Sequence, residues 1–300
     1  MTNSRKIAVI LEGRVQYERN VLLGIRDFAE SKTDWLLRLE RPGPNTIQRL
    51  RSWNPDGILF QSAGLSSASI TKIARSDRPA VHLSEPPTRR KNLRSVGLDN
   101  REIGRVAAET FLELGFRNFA FAGSKNGFSG NRFRSFQSRL REAGQGVEVI
   151  PFRAEMPETE ISDRLLALPE PCAVFAMHDE FALILSTLCR GMGIRIPEEI
   201  ALLGVDDDPL ICELAWPQLS SIGVPSRKVG FEAAARLDRI FAGQPDDPGR
   251  SILLPPAGVV TRHSTDVHQT ADESVNRALR LMRSQFRNRI NVDDVLREIG

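Results

Sequence analysis

The class of fold is decided by one stretch, Lys6-Ile7-Ala8-Val9-Ile10-Leu11, an uninterrupted apolar run of strand length. The segment 19–30 then carries apolar residues three and four positions apart, which is the spacing of one face of a helix. A fully apolar strand followed by an amphipathic helix is typical of a parallel sheet that helices cover on both faces. The sequence therefore begins as an α/β protein.

The same alternation continues along the chain. Strand-like runs lie at 35–39, 57–60, 80–83, 95–98, 119–122, 147–151, 173–176, 200–205 and 220–222. Helix-like segments lie at 45–52, 66–75, 100–115, 131–143, 158–167, 179–192 and 226–242. About ten strands are too many for one small doubly wound sheet. We therefore predict an α/β fold with two doubly wound parallel-sheet lobes, followed by a short α-helical C-terminal segment.

The composition is that of a folded globular protein. Of the 300 residues, 41% are hydrophobic and 26% are charged, so the chain can bury a substantial core. A formal net charge of +3 is too small to require a nucleic acid as partner. No apolar run approaches the roughly 20 residues that span a bilayer, and the first residues lack the cleavage site of a signal peptide. We predict a cytoplasmic protein without a membrane partner.

The motifs of common enzyme classes are missing from the sequence. It has no phosphate-binding P-loop, no G-x-G-x-x-G after the first strand, no H-E-x-x-H and no G-x-S-x-G. Four histidines, at 82, 178, 263 and 268, are dispersed, and three cysteines, at 172, 189 and 212, lack the C-x-x-C spacing. We expect reduced thiols, no metal site, no cofactor and no catalytic residues.

The densest acidic cluster, Asp206–Asp208, directly follows the strand-like run 200–205. Open parallel sheets bind ligands beyond the carboxyl ends of their strands. The cluster could hold Mg²⁺ for phosphoryl transfer, or Asp206 could accept hydrogen bonds from a polyhydroxyl ligand. A third alternative is that Asp207 and Asp208 only cap the following turn.

Three further polar positions are candidates for a site. His178 follows the strand-like run 173–176 and either points into a crevice or is structural, while Asp179 is expected to cap the next helix. Arg134 could clamp hydroxyl groups with its fixed fork of donors or lie in solvent. Tyr17, after the first strand, could stack on a ligand or pack in the protein.

Several ordered blocks resemble the LacI/GalR repressors and the type I periplasmic sugar-binding proteins. The blocks are 96–108, 119–123, 174–182, 193–200, 203–207, 216–222 and 230–234. The resemblance extends from about residue 5 to 263 and implies a two-lobed effector-binding domain over 5–263. Its N-lobe would comprise about 5–111 and 226–248, and its C-lobe about 114–223 and 251–262. A hinge that the chain crosses three times, near 111–113, 223–225 and 248–250, would join the lobes.

Three other segments, 17–19, 262–266 and 290–296, resemble the xylose-responsive XylR regulators. In that family a LacI-like sensor is followed by an AraC-type domain with helix-turn-helix motifs. The resemblance implies that 272–300 is the truncated start of such a domain. It also implies promoter DNA as a partner through the remainder of that domain, and a homodimer.

The resemblance also implies the ligand-binding residues. The sugar-binding Arg of the family's R-x-x-G pattern maps to Arg134, with Gln137 at the Gly position. The residue before the Asp of the N-D-x-x-A motif maps to His178, where the family has Asn, and the first Asp of G-[YFV]-D-D maps to Asp206. Gln137 and His178 thus depart from the family pattern, and both departures affect which sugar the site would bind.

Loops of the N-lobe that follow strand ends are expected to form the other wall of the site. The expected residues are Glu12, Tyr17, Ser62 and Glu85, with Phe128 or Trp216 packing on the apolar face of the sugar. We thus predict a sensor that binds xylose or a related monosaccharide in the cleft between its lobes and controls sugar-catabolism genes. A Mg²⁺-dependent phosphoryl-transfer enzyme and a transport sugar-binding protein are the alternatives.

Overall fold

The computed structural model describes residues 4–31, 34–85, 93–153, 156–247, 249–267, 272–284 and 291–299. These residues divide into two compact units. The first unit comprises residues up to Asn100, a short piece at 126–128, and 224–257, and the second comprises 101–125, 129–223 and the residues from Gly258 onward. Each unit is an α/β structure with one six-stranded sheet, as the sequence predicts.

The described strands, in chain order, are β1 Arg5–Ile10, β2 Trp35–Glu40, β3 Gly57–Phe60, β4 Ala80–His82, β5 Arg94–Leu98, β6 Asn118–Gly123, β7 Glu148–Pro151, β8 Cys172–Ala176, β9 Ile200–Asp206, β10 Ser220–Gly223, β11 Ser251–Leu254 and β12 Gly258–Val260. The described helices are α1 Gln16–Glu30, α2 Thr46–Trp53, α3 Ser67–Ala74, α4 Asn100–Glu113, α5 Gly127–Glu142, α6 Glu158–Leu166, α7 Asp179–Met192, α8 Pro209–Leu214, α9 Ser226–Phe241, α10 Glu273–Ser284 and α11 Val292–Ile299.

The order of the strands locates the functional edge of each sheet. The first sheet has the order β11-β5-β4-β3-β1-β2 and is parallel throughout. The second has the order β12-β10-β9-β8-β6-β7 and is parallel except for β12, which runs antiparallel to β10. The direction of winding reverses between β1 and β3 in the first sheet and between β6 and β8 in the second. In doubly wound sheets, ligands bind at the carboxyl ends of the strands at such a switch point.

A close crossing of two helices, α1 and α9, closes one face of the first sheet. Gly24 on α1 and Gly230 on α9 lie at the crossing, where a Cβ on Gly24 would overlap the carbonyl oxygen of Arg227 and a Cβ on Gly230 would overlap that of Val21. The two backbones meet because neither residue has a side chain. The aromatic rings of Phe28 and Phe231 pack edge to face beside it, 5.4 Å apart.

The predicted boundary of the C-lobe at 251–262 is wrong for its first half. Strand β11 pairs in parallel with β5 of the first sheet, with Ile252 opposite Val96. The physical reason is Arg236 of α9, which is 1% exposed and holds the preceding loop by hydrogen bonds to the carbonyl oxygens of Asp247 and Arg250. Only β12 joins the second sheet. Pro248, at the predicted third crossing, lies outside the described residues.

The predicted N-lobe boundary at residue 111 also differs from the structure. Residues 101–111 of helix α4 belong to the second unit. Gly104 explains this placement, because a Cβ there would overlap the carbonyl oxygen of Arg132 on α5, so α4 and α5 are in backbone contact.

The predicted partial DNA-binding domain, 272–300, contains helices α10 and α11. Asn291 and Asp294 form a reciprocal cap at the start of α11, in which each side chain accepts a hydrogen bond from the other residue's backbone N–H, at 2.9 and 3.0 Å. Residues 285–290 and 300 of this segment lie outside the described residues. Its assignment as an AraC-type domain stays a prediction.

The three cysteines are all unpaired and buried. Burial raises the pKa of the Cys172 and Cys189 thiols to about 12. Thiols in this state are unreactive, because the thiolate is the nucleophile.

None of the helices in the described ranges is long and apolar enough to cross a membrane.

Candidate functional site

The second unit gathers polar side chains at the carboxyl ends of β8 and β9. His178 follows β8, Asp206 ends β9, and Arg132 reaches this edge from helix α5. The switch point of this sheet lies between β6 and β8, so the three residues stand where a doubly wound sheet binds its ligand.

Arg132 is the central cation of this edge. It is 3% exposed, and its Nη1 donates a hydrogen bond to the carbonyl oxygen of Met177, the last residue before His178. Its positive charge acts on both neighbours, because it lowers the pKa of His178 and opposes the rise in the pKa of Asp206. A buried guanidinium held in this way offers a fixed fork of donors.

Arg134, the predicted sugar-binding arginine, does not reach this edge. It is exposed and donates a hydrogen bond to the side chain of Asn131. Two residues along a helix differ by about 200° around its axis, so Arg132 and Arg134 cannot face the same way. The R-x-x-G pattern can instead start at Arg132, which puts Ser135 at the Gly position. The helical period favours Arg132, because it lies four residues before the buried Phe136 and therefore on the same face of α5.

His178 is held as a neutral imidazole. Its Nδ1 accepts a hydrogen bond of 3.0 Å from the backbone N–H of Phe181, so the side chain caps helix α7. Burial, helped by the charge of Arg132, lowers its pKa to about 4. Because Nδ1 is an acceptor, the proton of the neutral ring is on Nε2, which is left as a donor. The ring of Phe152 packs edge to face against it at 6.1 Å.

Asp206 stands in a conformation that L residues rarely adopt. Its φ is 116°, and Asp207 after it has a φ of 51°. Backbone strain of this kind is concentrated at functional sites. Burial raises the pKa of Asp206 to about 7, with a smaller contribution from the charge of Glu180. Within the part of the chain that the structure describes, its carboxylate accepts no hydrogen bond, which leaves it as an acceptor for a ligand.

Asp179 is a structural residue beneath this edge. It is 1% exposed, and its Oδ1 accepts a hydrogen bond from Ser221 Oγ at 2.6 Å, while Oδ2 accepts from the backbone N–H of Asp208 at 2.9 Å. Burial raises its pKa to about 8. The predicted helix cap is therefore wrong for Asp179, and His178 performs that task instead.

The other two residues of the acidic cluster hold the turn after β9. Asp208 caps α8 by accepting hydrogen bonds from the backbone N–H groups of Leu210 and Ile211, and Asp207 forms an ion pair of 2.7 Å with Arg262. The contacts of Asp208 are those of the capping alternative, whereas the side chain of Asp207 pairs with Arg262 and does not cap the turn. Across the described ranges, no group of three or more His, Cys, Asp or Glu side chains is arranged to hold a metal ion.

The predicted residues of the first unit lie at the carboxyl ends of its central strands. Glu12 follows β1 and forms an ion pair of 3.0 Å with Arg14. Tyr17, near the start of α1, donates a hydrogen bond of 3.4 Å to the carbonyl oxygen of Leu83 after β4. Glu85 follows two residues later, and the carbonyl oxygen of Glu85 accepts a hydrogen bond from Ser84. The switch point of this sheet, between β1 and β3, is at the same edge.

Ser62 belongs to a small network that the sequence did not indicate. His82, which is fully buried, places Nδ1 2.6 Å from the carbonyl oxygen of Ser84 and Nε2 2.7 Å from Ser62 Oγ. Because a carbonyl only accepts, Nδ1 carries the proton and Ser62 donates to Nε2. Next to Ser62, the buried Oε1 atom of Gln61 finds no hydrogen-bond partner among the described residues, so Gln61 and His82 join the candidates at this edge.

The two aromatic candidates differ in position. Phe128 is 45% exposed and belongs to the piece 126–128 of the first unit. Trp216 is 66% exposed and lies 5.5 Å from the guanidinium of Arg190, in the last turn of α7. Arg190 is twelve residues from His178 along this helix, which is about 18 Å at 1.5 Å per residue. Trp216 is therefore remote from the edge that carries His178.

Two doubly wound units, the second with strained, charged residues at the carboxyl end of β9, are the architecture of a ligand-binding protein of the α/β class. The sequence profile of the periplasmic binding protein-like domain matches residues 108–265, which is more than half of the chain, and the chain belongs to that family.

Comparison with single proteins gives a consistent result. The xylose operon regulatory protein of Escherichia coli K12 is 27% identical over 321 residues, which cover 100% of this chain and 79% of that protein. The solved structure of the xylose-binding transcription activator xylR superposes with a TM-score of 0.78 at 25% identity, and covers 100% of this chain and 80% of that one. A putative LacI regulator from Bacillus cereus shares the fold, with a TM-score of 0.75 at 19% identity over 89% of this chain and 100% of that one.

These comparisons confirm the resemblance to LacI-type and XylR-like regulators that the ordered blocks indicated. The relatives named here are transcription regulators and not enzymes. The prediction that the chain is not an enzyme is confirmed, and the phosphoryl-transfer alternative is wrong.

Proposed function

We propose that this protein is a sugar-responsive transcription regulator whose effector binds to Arg132, His178 and Asp206. The observation that carries the proposal is the free carboxylate of Asp206 beside the buried guanidinium of Arg132 at the switch point of the second sheet. An acceptor and a fixed donor fork at one point suit neighbouring hydroxyl groups, which both donate and accept.

The chemistry of the three residues favours a neutral polyhydroxyl ligand. The carboxylate of Asp206 accepts hydrogen bonds from two hydroxyl groups, whereas Arg132 and the Nε2–H of His178 donate hydrogen bonds to hydroxyl oxygens. The ring of Phe152, which contacts His178, offers an apolar surface for the C–H face of a sugar ring. Contributions of Glu12, Tyr17, Ser62, Glu85 and Phe128 to the same ligand stay predictions.

The identity of the sugar and the mode of regulation are further parts of the proposal. The E. coli relative is a xylose operon regulatory protein and the solved xylR structure is that of a xylose-binding activator, which supports D-xylose or a related monosaccharide. We also propose promoter DNA as a partner through an AraC-type domain that starts in 272–300, a homodimer, and action in the cytoplasm, where the regulators of bacterial relatives meet their DNA.

A direct test is calorimetric titration of the purified chain with D-xylose, D-ribose, L-arabinose and D-glucose. We expect one pentose to bind and to raise the melting temperature, because a ligand that binds only the folded state stabilises it. Absence of heat and of any thermal shift across the whole panel would contradict the sugar-sensing function.

The site itself is tested by a matched pair of variants on one helix. Arg132→Met removes the buried donor fork, and Arg134→Met makes the same substitution at the exposed position. We expect Arg132→Met to weaken sugar binding by about 100-fold, as for a charge-assisted hydrogen bond of a few kcal/mol, and Arg134→Met to bind normally. Asp206→Asn keeps the shape of the side chain and removes its charge, so a loss of sugar binding in this variant reflects the missing acceptor and not misfolding. Equal effects at 132 and 134 would reject the assignment.

A further inference from the structure

A cavity lies in the first unit, away from the residues discussed above. It has a volume of about 410 Å³ and lies between helices α2 and α3 and the start of β3. Its floor is apolar and buried, since Leu50, Ile58 and Ile73 are at most 5% exposed and belong to the hydrophobic core. We refer to this cavity as the α2–α3 groove.

The rim of the α2–α3 groove is strongly basic. Arg51, Lys72, Arg75 and Arg78 all line it. Arg78 donates a hydrogen bond to the neutral side chain of Asn54. Among the residues that the structure describes, no carboxylate forms an ion pair with any of these four cations, and Asp77, their neighbour in the chain, does not line the cavity.

Stabilisation of helix ends does not account for so many charges. Arg51 and Lys72 lie in the last turns of α2 and α3. Each helix C-terminus carries about half a negative charge, so the two ends together offset about one of the four positive charges. The groove thus retains an excess of about three positive charges above an apolar floor.

We propose that the α2–α3 groove binds a small organic anion with an apolar body, of the class of aryl or alkyl carboxylates. The volume of the groove is within the range of small-molecule sites. The apolar floor would be covered by the body of such a ligand, and the cationic rim would pair with its carboxylate. An inorganic anion would leave the floor exposed, and a neutral ligand would leave the cations unpaired.

The test follows the methyl groups of the floor by NMR. The protein is labelled at isoleucine δ1 methyls and titrated with 4-phenylbutyrate, with 4-phenylbutan-1-ol as the neutral counterpart and acetate as the anion without an apolar body. We expect saturable shifts at Ile47, Ile58 and Ile73 with phenylbutyrate, and affinity at least about tenfold lower for the alcohol and for acetate, which each lack one of the two interactions.

A matched pair of charge reversals locates the site. Lys72→Glu places a negative charge on the rim, and Lys228→Glu makes the same change at an exposed position of α9 in the same unit. We expect Lys72→Glu to weaken phenylbutyrate binding about tenfold and Lys228→Glu to leave it unchanged. The proposal is overturned if the three methyls do not shift, if the alcohol binds equally well, if Lys72→Glu has no effect, or if a DNA duplex shifts these methyls while phenylbutyrate does not. The sugar site is not involved in any of these outcomes.

Discussion

Asp206 makes the stability of the protein depend on pH near neutrality. The folded-state pKa values of Asp206 and Asp179, about 7 and about 8, lie far above the ordinary value of 3.8. Near pH 7 the folded protein therefore holds protons that the unfolded chain has already released. Stability that depends on such bound protons is lost as the pH rises through the folded pKa values. The pKa of His178 is lowered to about 4, so its effect on the stability of the protein occurs mainly at lower pH.

We predict that Asp206→Asn flattens this dependence. The free energy of unfolding of the parent protein falls between about pH 6.5 and 8, and the variant loses on the order of 1 kcal/mol less over the same range. The substitution acts in two ways, because it removes the titrating carboxyl of Asp206 and also removes a charge that helps to raise the pKa of Asp179. Urea denaturation at several pH values measures the slope, with the exposed Asp77→Asn as control. A variant that retains the parent slope would show that Asp206 is not the titrating group.

Arg236 is the residue on which the placement of β11 depends. It is 1% exposed, forms an ion pair of 2.9 Å with Asp246, and donates to the carbonyl oxygen of Ser95 on β5. Replacement of one partner in a buried ion pair costs about 3 to 5 kcal/mol. We predict such a loss for Arg236→Met in chemical denaturation and less than about 1 kcal/mol for Arg227→Met, whose ion pair with Asp27 is at the surface. Equal costs would contradict the role of Arg236 as an anchor.

At the residue scale, the sequence located polar residues at strand ends better than those on helices. His178 and Asp206 lie at this edge as expected, because a strand end is visible as the last position of an apolar run, and their part in ligand binding stays a prediction. Arg132 was missed because the R-x-x-G pattern fits Arg132 and Arg134 equally incompletely, and only the apolar periodicity of α5 distinguishes the two arginines. His82 was missed because its role arises from a hydrogen bond to Ser62, twenty residues away.

At the element scale, local chemistry predicted where helices end but not which sheet a strand joins. Helix α7 ends at Met192, where the helix-like segment 179–192 also ends, and Gly193 after it adopts the left-handed conformation with a φ of 76°. The run Ser-Ile-Leu-Leu at 251–254 is also strand-like in the sequence. Its partner β5 is about 150 residues earlier in the chain, and that pairing depends on the Arg236 anchor, which is a long-range contact.

The crossing of α1 and α9 gives a prediction for glycine substitutions. Gly230→Ala forces a Cβ onto the carbonyl oxygen of Val21, and overpacking of this kind costs about 1 to 3 kcal/mol even after the gain in helix propensity. Gly191→Ala in α7 has no atom within 4 Å of the new methyl group, so it should stabilise the protein by about 0.5 to 1 kcal/mol. Thermal unfolding of both variants measures the contrast. Stabilisation by Gly230→Ala would contradict the close crossing.

At the scale of the whole molecule, a short segment after β12 ties the second sheet together. Ser264 Oγ donates to the carbonyl oxygen of Leu202 on β9 at 2.6 Å and accepts from the backbone N–H of Ser220 on β10 at 2.8 Å. Arg262 adds its ion pair with Asp207. The resemblance to XylR regulators singled out 262–266 as a family segment, but these strand contacts are visible only in the structure.

Two truncated chains that differ by six residues test the role of this segment, because one retains it and the other lacks it. A chain that ends at Val267 keeps every contact of Arg262 and Ser264, so we predict cooperative unfolding, a melting temperature within a few degrees of the parent, and unchanged sugar affinity. A chain that ends at Thr261 loses the ion pair and leaves the backbone groups of β9 and β10 without partners. Several buried hydrogen bonds at about 1 kcal/mol each are then lost, and we expect its melting temperature to fall by at least about 10 °C. If the Thr261 chain were as stable as the Val267 chain, the segment would not stabilise the sheet. If both truncated chains had melting temperatures well below that of the parent protein, the stability of the second unit would depend on helices α10 and α11.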